Sequence, residues 1–150
     1  MDVRTVMHPD PVTLGVRDTL DIADDLMRLG RIRHLPIVDG VRLVGIVSQR
    51  DLLRAAVSSL LELGRAAEHE WLGKITVATV MTRHVFTVAP SAPLQAAVDI
   101  MINKQIGCLP VVEDGKLVGI LSETDCLMRL RTLLDVADTR QALPELAPAG

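Results

Sequence analysis

The residues with the most chemical content fall in two short runs, Gly45-Ile-Val-Ser48-Gln-Arg-Asp51 and Gly119-Ile-Leu-Ser122-Glu-Thr-Asp125. Each places a glycine, a serine and a carboxylate at the same spacing. A glycine late in a strand lets another group approach the backbone closely. A serine where strand gives way to helix, with an aspartate three residues on, has the spacing of a capping box. There the hydroxyl and carboxylate satisfy the orphan N–H groups of the first turn. The same geometry has a second use. A helix N-terminus and a hydroxyl receive a phosphate, and an aspartate accepts hydrogen bonds from two vicinal ribose hydroxyls. Capping and ligand binding are compatible at one site.

Other reactive side chains are less organised. His8, His34, His69 and His84 have no close metal-ligand spacing, and His69 and Glu70, being adjacent, point to different faces of a helix. No metal site is expected. Cys108 has no base at a recognisable spacing to activate it, so it reads as a small packing residue. Paired acid and base groups for hydrolysis are not visible, and no enzyme activity is expected. Met27, Met101 and Met128 fall on apolar helical faces, as core or dimer contacts. Asp24-Asp25, Arg129 and Arg131 read as solvated surface.

The two runs are parts of a duplication. Adding 74 to a residue number reaches its counterpart without a gap: Thr5-Val6-Met7 becomes Thr79-Val80-Met81, and Leu35-Pro36 becomes Leu109-Pro110. Between residues 5 and 53, 19 of 49 positions are identical across that offset, too many for chance. The halves therefore share one fold and are expected to pack about a pseudo-twofold axis into one core.

Each half reads as β-α-β-β-α, an α/β (α+β) unit. Short β-prone runs at Val12–Leu14 and Val85–Val88 come first. A helix follows, with Asp18 as candidate N-cap and Leu20, Ala23 and Met27 on one face. In the second half Ser91 and Pro93 open the helix, with Leu94, Ala97 and Met101 as its stripe. Two strand pairs, Leu35–Val38 with Leu43–Val47 and Leu109–Val112 with Leu117–Leu121, surround Asp39-Gly40 and Asp114-Gly115, strong hairpin signals. A last helix opens at Ser48 or Ser122. In the first half Leu52, Leu53, Ala56, Val57, Leu60 and Leu61 keep helical spacing up to Gly64, a plausible stop. The expected division is 1–64 and 79–138 for the repeats, a partly helical linker over 65–78 turning at Gly73, and a loose tail over 139–150.

Composition narrows the function. The chain has 150 residues, 49% of them apolar, but its aromatics are Trp71 and Phe86 alone. That disfavours the stacking platforms of single-stranded nucleic-acid binders, and a net charge of −3 disfavours nucleic acid generally. Mean hydropathy is +0.32, yet no apolar run approaches the roughly 18–20 residues of a membrane span. No secretory leader pattern opens the chain. Two distant cysteines fit a reduced, cytoplasmic setting.

The order of these features, with His34-Leu-Pro-Ile-Val or Cys108-Leu-Pro-Val-Val before the turn and Gly-Ile-x-Ser-x-x-Asp after it, resembles the CBS domain, named after cystathionine β-synthase. Two in tandem resemble a CBS pair, or Bateman module, over roughly residues 2–135. The resemblance implies two clefts between the repeats that bind adenosine-containing ligands: AMP, ADP, ATP or S-adenosylmethionine. It assigns Ser122 and Asp125 to one cleft, with Met7, Pro11, Val12 and Thr13. Ser48 and Asp51 go to the other, with Val85, Phe86, Thr87, Gly107 and Cys108. Arg33 and His34 would face the phosphate of the first cleft or of its neighbour. Gly107-Cys108 carries no charge where the first repeat has Arg-His, so the clefts should be inequivalent, the one served by Arg33 and His34 preferring more phosphate. A bound base would lie against Val12, Ile37, Val111 and Phe86. The implied protein is a regulatory module without catalysis or required cofactor, since the repeats take up nearly all of these 150 residues. It would be a homodimer through helices of both repeats, with an unidentified protein partner as a further option. The other implied possibility is a structural dimerisation module with empty clefts.

Overall fold

The structure, a computed structural model, describes residues 1–57 and 64–142. After a 3-10 turn at Val3–Thr5 come β1 (His8–Pro9), β2 (Leu14–Gly15), α1 (Leu20–Gly30), β3 (His34–Asp39), β4 (Arg42–Ser48) and α2 (Gln49–Val57). Next are α3 (Arg65–Leu72) and α4 (Val77–Val80), then α5 (Leu94–Lys104), β5 (Cys108–Glu113), β6 (Lys116–Ser122) and α6 (Glu123–Ala142). Both hairpins have the same register, and each carries an irregularity at the same place, between Ile37 and Val38 and between Val111 and Val112.

Several local expectations are corrected. The first hairpin turns at Gly40-Val41 rather than at Asp39-Gly40, because Asp39 still pairs with Arg42. Gly40 has φ 63°, as a turn needing a positive φ first demands. In the second, Asp114 and Gly115 both have positive φ. Val85–Val88 is not a strand: only Val88 makes a parallel bridge, to Val111, and Pro90 lacks the N–H to extend it. Asp18 does not cap α1. Thr19 holds that position, and Asp18 Oδ2 instead accepts the Gly15 N–H at 2.7 Å. Pro93 sits at the N-cap of α5, outside the first turn. Gly64 is the N-cap of α3, and the helix it was expected to stop runs out of the described residues after Val57. Leu60 and Leu61 lie outside the described residues, as does the side chain of Val57. α6 runs to Ala142, four residues into the segment expected to be loose; 143–150 lie outside the described residues.

The repeats are joined by a reciprocal exchange. The Val3 N–H donates to the Ala92 carbonyl at 2.9 Å, and the Val77 N–H to the Asp18 carbonyl at 2.8 Å. Leu94 N–H donates to Met1 O and Leu20 N–H to Ile75 O, both at 2.9 Å. Each pair is related by the same offset of 74. Likewise His8 pairs with Ile120, and Thr82 with Ile46. Thus the segment leading into each repeat packs on the other. One mixed sheet results, in the order β1-β6-β4-β3-β2 with β5 on β6.

The interior is two clusters rather than one fused core. Leu20, Leu35, Ile37 and Val47 build the first, with Val77 and Met81 inserted from the second repeat's lead. Leu109, Val111 and Leu121 build the second, with Val3 inserted from the first. Met27 and Met101 are buried in these clusters, so they are core and not dimer contacts; Met128 is exposed. A fully buried side chain of this kind contributes about 1.5–3 kcal/mol, so each exchanged segment stabilises the repeat it enters.

Candidate functional site

The glycines of the two runs serve the exchange. A Cβ on Gly119 would lie 2.7 Å from Met7 Sδ and 3.0 Å from the His8 carbonyl. One on Gly45 would collide with Met81 Sδ and lie 3.1 Å from the Thr82 carbonyl. The group approaching each strand is therefore the other repeat's methionine.

Serine and aspartate form closed capping boxes. Asp51 Oδ2 accepts the Ser48 N–H at 2.8 Å and the Ser48 hydroxyl at 3.0 Å, and Ser48 Oγ accepts the Asp51 N–H at 3.2 Å. Ser122 and Asp125 repeat this at 2.8, 2.7 and 3.2 Å. In each box Oδ1 carries none of these bonds.

The surroundings of the boxes differ. A cavity of about 1240 Å³ opens beside Ser48 and Asp51. It is lined by Val85, Phe86, Gly107 and Cys108, as expected, and also by Arg33 and His34. Thr87 is exposed and not on it. Of the other expected set, Asp125 borders a shallow recess of about 230 Å³, with Thr5, Val6, Met128, Arg129, Arg131 and Thr132. Ser122, Met7, Pro11, Val12 and Thr13 line neither space, and Val12 is exposed. Ile37 and Val111 cannot wall a base, because both are fully buried in the clusters. The apolar walls of the cavity include Ile46, Val85, Phe86, Val98, Ile102 and Ile106 instead. Lys104 Nζ stands 5.1 Å from the Phe86 ring centre.

The composition of the motifs did not single out four further lining residues: Arg50, Arg54, His84 and Glu123. Their signal was present in the duplication. Arg33, Arg50 and Arg54 correspond by offset to Gly107, Thr124 and Met128, none of them cationic, and His84 corresponds to Asp10. The positive charge of this cavity is thus a departure from the repeat, opposed within it by Glu123 and Asp51. Arg33 Nη2 pairs with Glu123 Oε1 at 3.4 Å, from one repeat to the other. Burial, then the Arg33 charge, holds the His34 imidazole below its ordinary value, while Glu123 and Asp51 pull the other way. Burial pushes the Cys108 thiol up to about 12, with Glu123 adding to it. Among the described residues no group of three His, Cys, Asp or Glu is placed to hold a metal ion, and no helix is long and apolar enough to cross a membrane.

The CBS-domain family model matches residues 3–58 and 77–132. The chain belongs to the CBS-domain family. Its two copies form a tandem CBS pair. The Vibrio cholerae AcuB structure, assigned to acetoin utilization, is 37% identical with a TM-score of 0.79, covering 96% of this chain and 98% of that one. The CBS pair of MJ0100, solved with 5′-methylthioadenosine and S-adenosylmethionine, is 26% identical with a TM-score of 0.75 over 89% and 98% of the chains. CBSX2, solved with AMP, is also 26% identical with a TM-score of 0.75, over 88% and 97%. Among curated relatives, a Dictyostelium discoideum CBS domain-containing protein is 30% identical over 89% of this chain and 93% of its own length. Inosine-5′-monophosphate dehydrogenase of Korarchaeum cryptofilum is 36% identical over 80% of this chain, which spans only 22% of that enzyme.

Proposed function

We propose that this CBS pair is a regulatory module that binds an adenosine phosphate in the cavity beside Ser48 and Asp51, without catalysing a reaction. The observation that carries this is that the large cavity of about 1240 Å³ beside Ser48 and Asp51 gathers Arg33, Arg50 and Arg54, whereas the recess beside Asp125, with Arg129 and Arg131, offers only about 230 Å³. Asp51 Oδ1 is the ribose acceptor, Arg33 and the arginines of α2 face the phosphates, and the base lies among Val85, Phe86 and Ile102. Aliphatic walls leave base recognition to shape and backbone hydrogen bonds. The AMP complex of CBSX2 supports an adenosine ligand in this architecture. The charge favours a phosphorylated ligand over S-adenosylmethionine. Binding rather than catalysis is supported by the mutual engagement of Ser48 and Asp51 and by the raised Cys108 pKa, which keeps it a thiol. A ligand bridging both repeats would shift their relative orientation, and a partner protein would read the shift.

Isothermal titration with AMP, ADP, ATP and S-adenosylmethionine tests this. The three phosphates should bind more tightly than S-adenosylmethionine. The absence of both heat and thermal shift with all four would remove the proposal. It would leave the second reading, a homodimerising structural module, which the closed capping boxes and the exposed leucines of α6 favour.

A further inference from the structure

α3 belongs to neither family match: it lies between residues 3–58 and 77–132. It packs across α1 and α2 of the first repeat. Leu72 is fully buried in the first cluster with Leu52 and Ala56 of α2. The Trp71 indole N–H donates to the Ala55 carbonyl of the same helix at 3.4 Å. Toward α1, Arg65 Nη2 lies 4.0 Å from Asp24 Oδ2, and His69 Nε2 lies 3.2 Å from both Asp25 carboxylate oxygens. α2 thus has two flanks. Arg50, Asp51, Leu53 and Arg54 line the cavity, while Leu52, Ala55 and Ala56, at helical spacing on the other side, meet the core and α3. A helix takes most of its stability from packing, so what lies behind α2 fixes where its arginines stand. The twin helix lacks both features. Thr124 and Met128 replace the arginines, and Leu130, at the place of Ala56, is 49% exposed where Ala56 is 3%. Beyond α3 the chain enters the exchange. Ile75 and Val77 hydrogen-bond to the first repeat, Thr82 pairs with Ile46, and His84, Val85 and Phe86 reach the same cavity.

We infer that Trp71 is a positioning residue for the arginines of α2, and that nucleotide in the cavity and the docking of α3 are energetically coupled through it. The coupling rests on the binding proposed above; the positioning does not. A triphosphate that draws Arg50 and Arg54 toward itself moves α2 against the indole behind it. Trp71, 39% exposed, then changes both its bond to Ala55 and its exposure. Such coupling is reciprocal: a protein that takes hold of α3 changes nucleotide affinity by the factor by which nucleotide changes its own. The occupancy of the cavity is thereby legible on the linker helix.

The test uses the full chain, with its single tryptophan as reporter. Trp71 is not on the cavity lining, so a bound base does not quench it by contact. ATP should change the emission saturably, with the half-saturation that calorimetry gives. Trp71→Phe keeps an aromatic ring and removes the N–H. It should weaken ATP about fivefold, the order of one hydrogen bond, and AMP less, because its effect passes through arginines facing the outer phosphates. A merely structural loss weakens both alike. Silent emission during binding, or equal losses for ATP and AMP, overturns the coupling. The positioning is read without nucleotide, by hydrogen exchange. In Trp71→Phe the amides of α2 should exchange several-fold faster, while those of β5 and β6 keep their native rates. Unchanged exchange in α2, or equal acceleration in both repeats, overturns the positioning. Binding of no nucleotide would remove the ligand and the coupling together, and the exchange rates then judge the positioning alone.

Discussion

Arg33 of the first repeat and Glu123 of the second meet at 3.4 Å across the cavity that both line. Both are more than half exposed, so the pair contributes little to stability, about 0–1 kcal/mol. Its weight falls on the ligand, because a phosphate competes with Glu123 for the guanidinium. Glu123→Gln should tighten ATP binding several-fold and leave the melting temperature nearly unchanged. Arg33→Ala should weaken ATP more than AMP. Titration calorimetry of both variants with both nucleotides checks this, and equal losses for ATP and AMP would place Arg33 away from the outer phosphates.

Asp51 and Asp125 make the same capping bonds in different surroundings. Replacing either by alanine should cost about 0.5–2 kcal/mol of stability, the usual range for a lost cap. Only Asp51→Ala should abolish nucleotide binding; Asp125→Ala should retain it. Urea unfolding gives the first quantity and titration the second. The reverse outcome would move the ligand to the recess beside Asp125.

His34 gives a signed pH dependence. Burial holds its folded pKa below the ordinary value of about 6.5. As pH falls, the unfolded chain therefore takes up its proton first. The stability this histidine contributes is complete above about 6.5 and is lost as pH falls toward the folded value. His34→Asn should flatten that slope in urea unfolding. A phosphate beside the imidazole acts in the opposite sense, raising its pKa, so AMP binding should take up protons. Calorimetric enthalpies in buffers of different ionisation heat should reveal the uptake, and His34→Asn should reduce it.

Gly119 and Gly45 have no room for a methyl group. Alanine at either would press on the methionine and on a backbone carbonyl of the exchanged segment. Each should destabilise by about 1–3 kcal/mol, the usual cost of overpacking. Met7→Ala should relieve Gly119→Ala in a double-mutant cycle, whereas additive costs would show that the carbonyl of His8 is the main obstacle.

The chain itself carried much of this. Duplication at a fixed offset, alternating strands and Ser-x-x-Asp spacing specify elements of one repeat twice, because those patterns depend on neighbours a few residues away. They predicted the hairpins, the helices after Ser48 and Ser122, and the family. Where an element depends on one missing N–H, as at Pro90, or on a turn beginning one residue later, as at Gly40-Val41, local pattern was less exact. Only the tertiary structure decided which space each motif faces. The exchange of Val3 and Val77 between two cores is a long-range packing event, and no local periodicity encodes it. It brings His84 and Glu123 from the second repeat to the box that Arg50 and Arg54 already flank in sequence, and leaves its twin beside a shallow recess. Near-identical motifs thus acquire different chemistry because cavity shape, and part of its charge, come from residues distant in sequence.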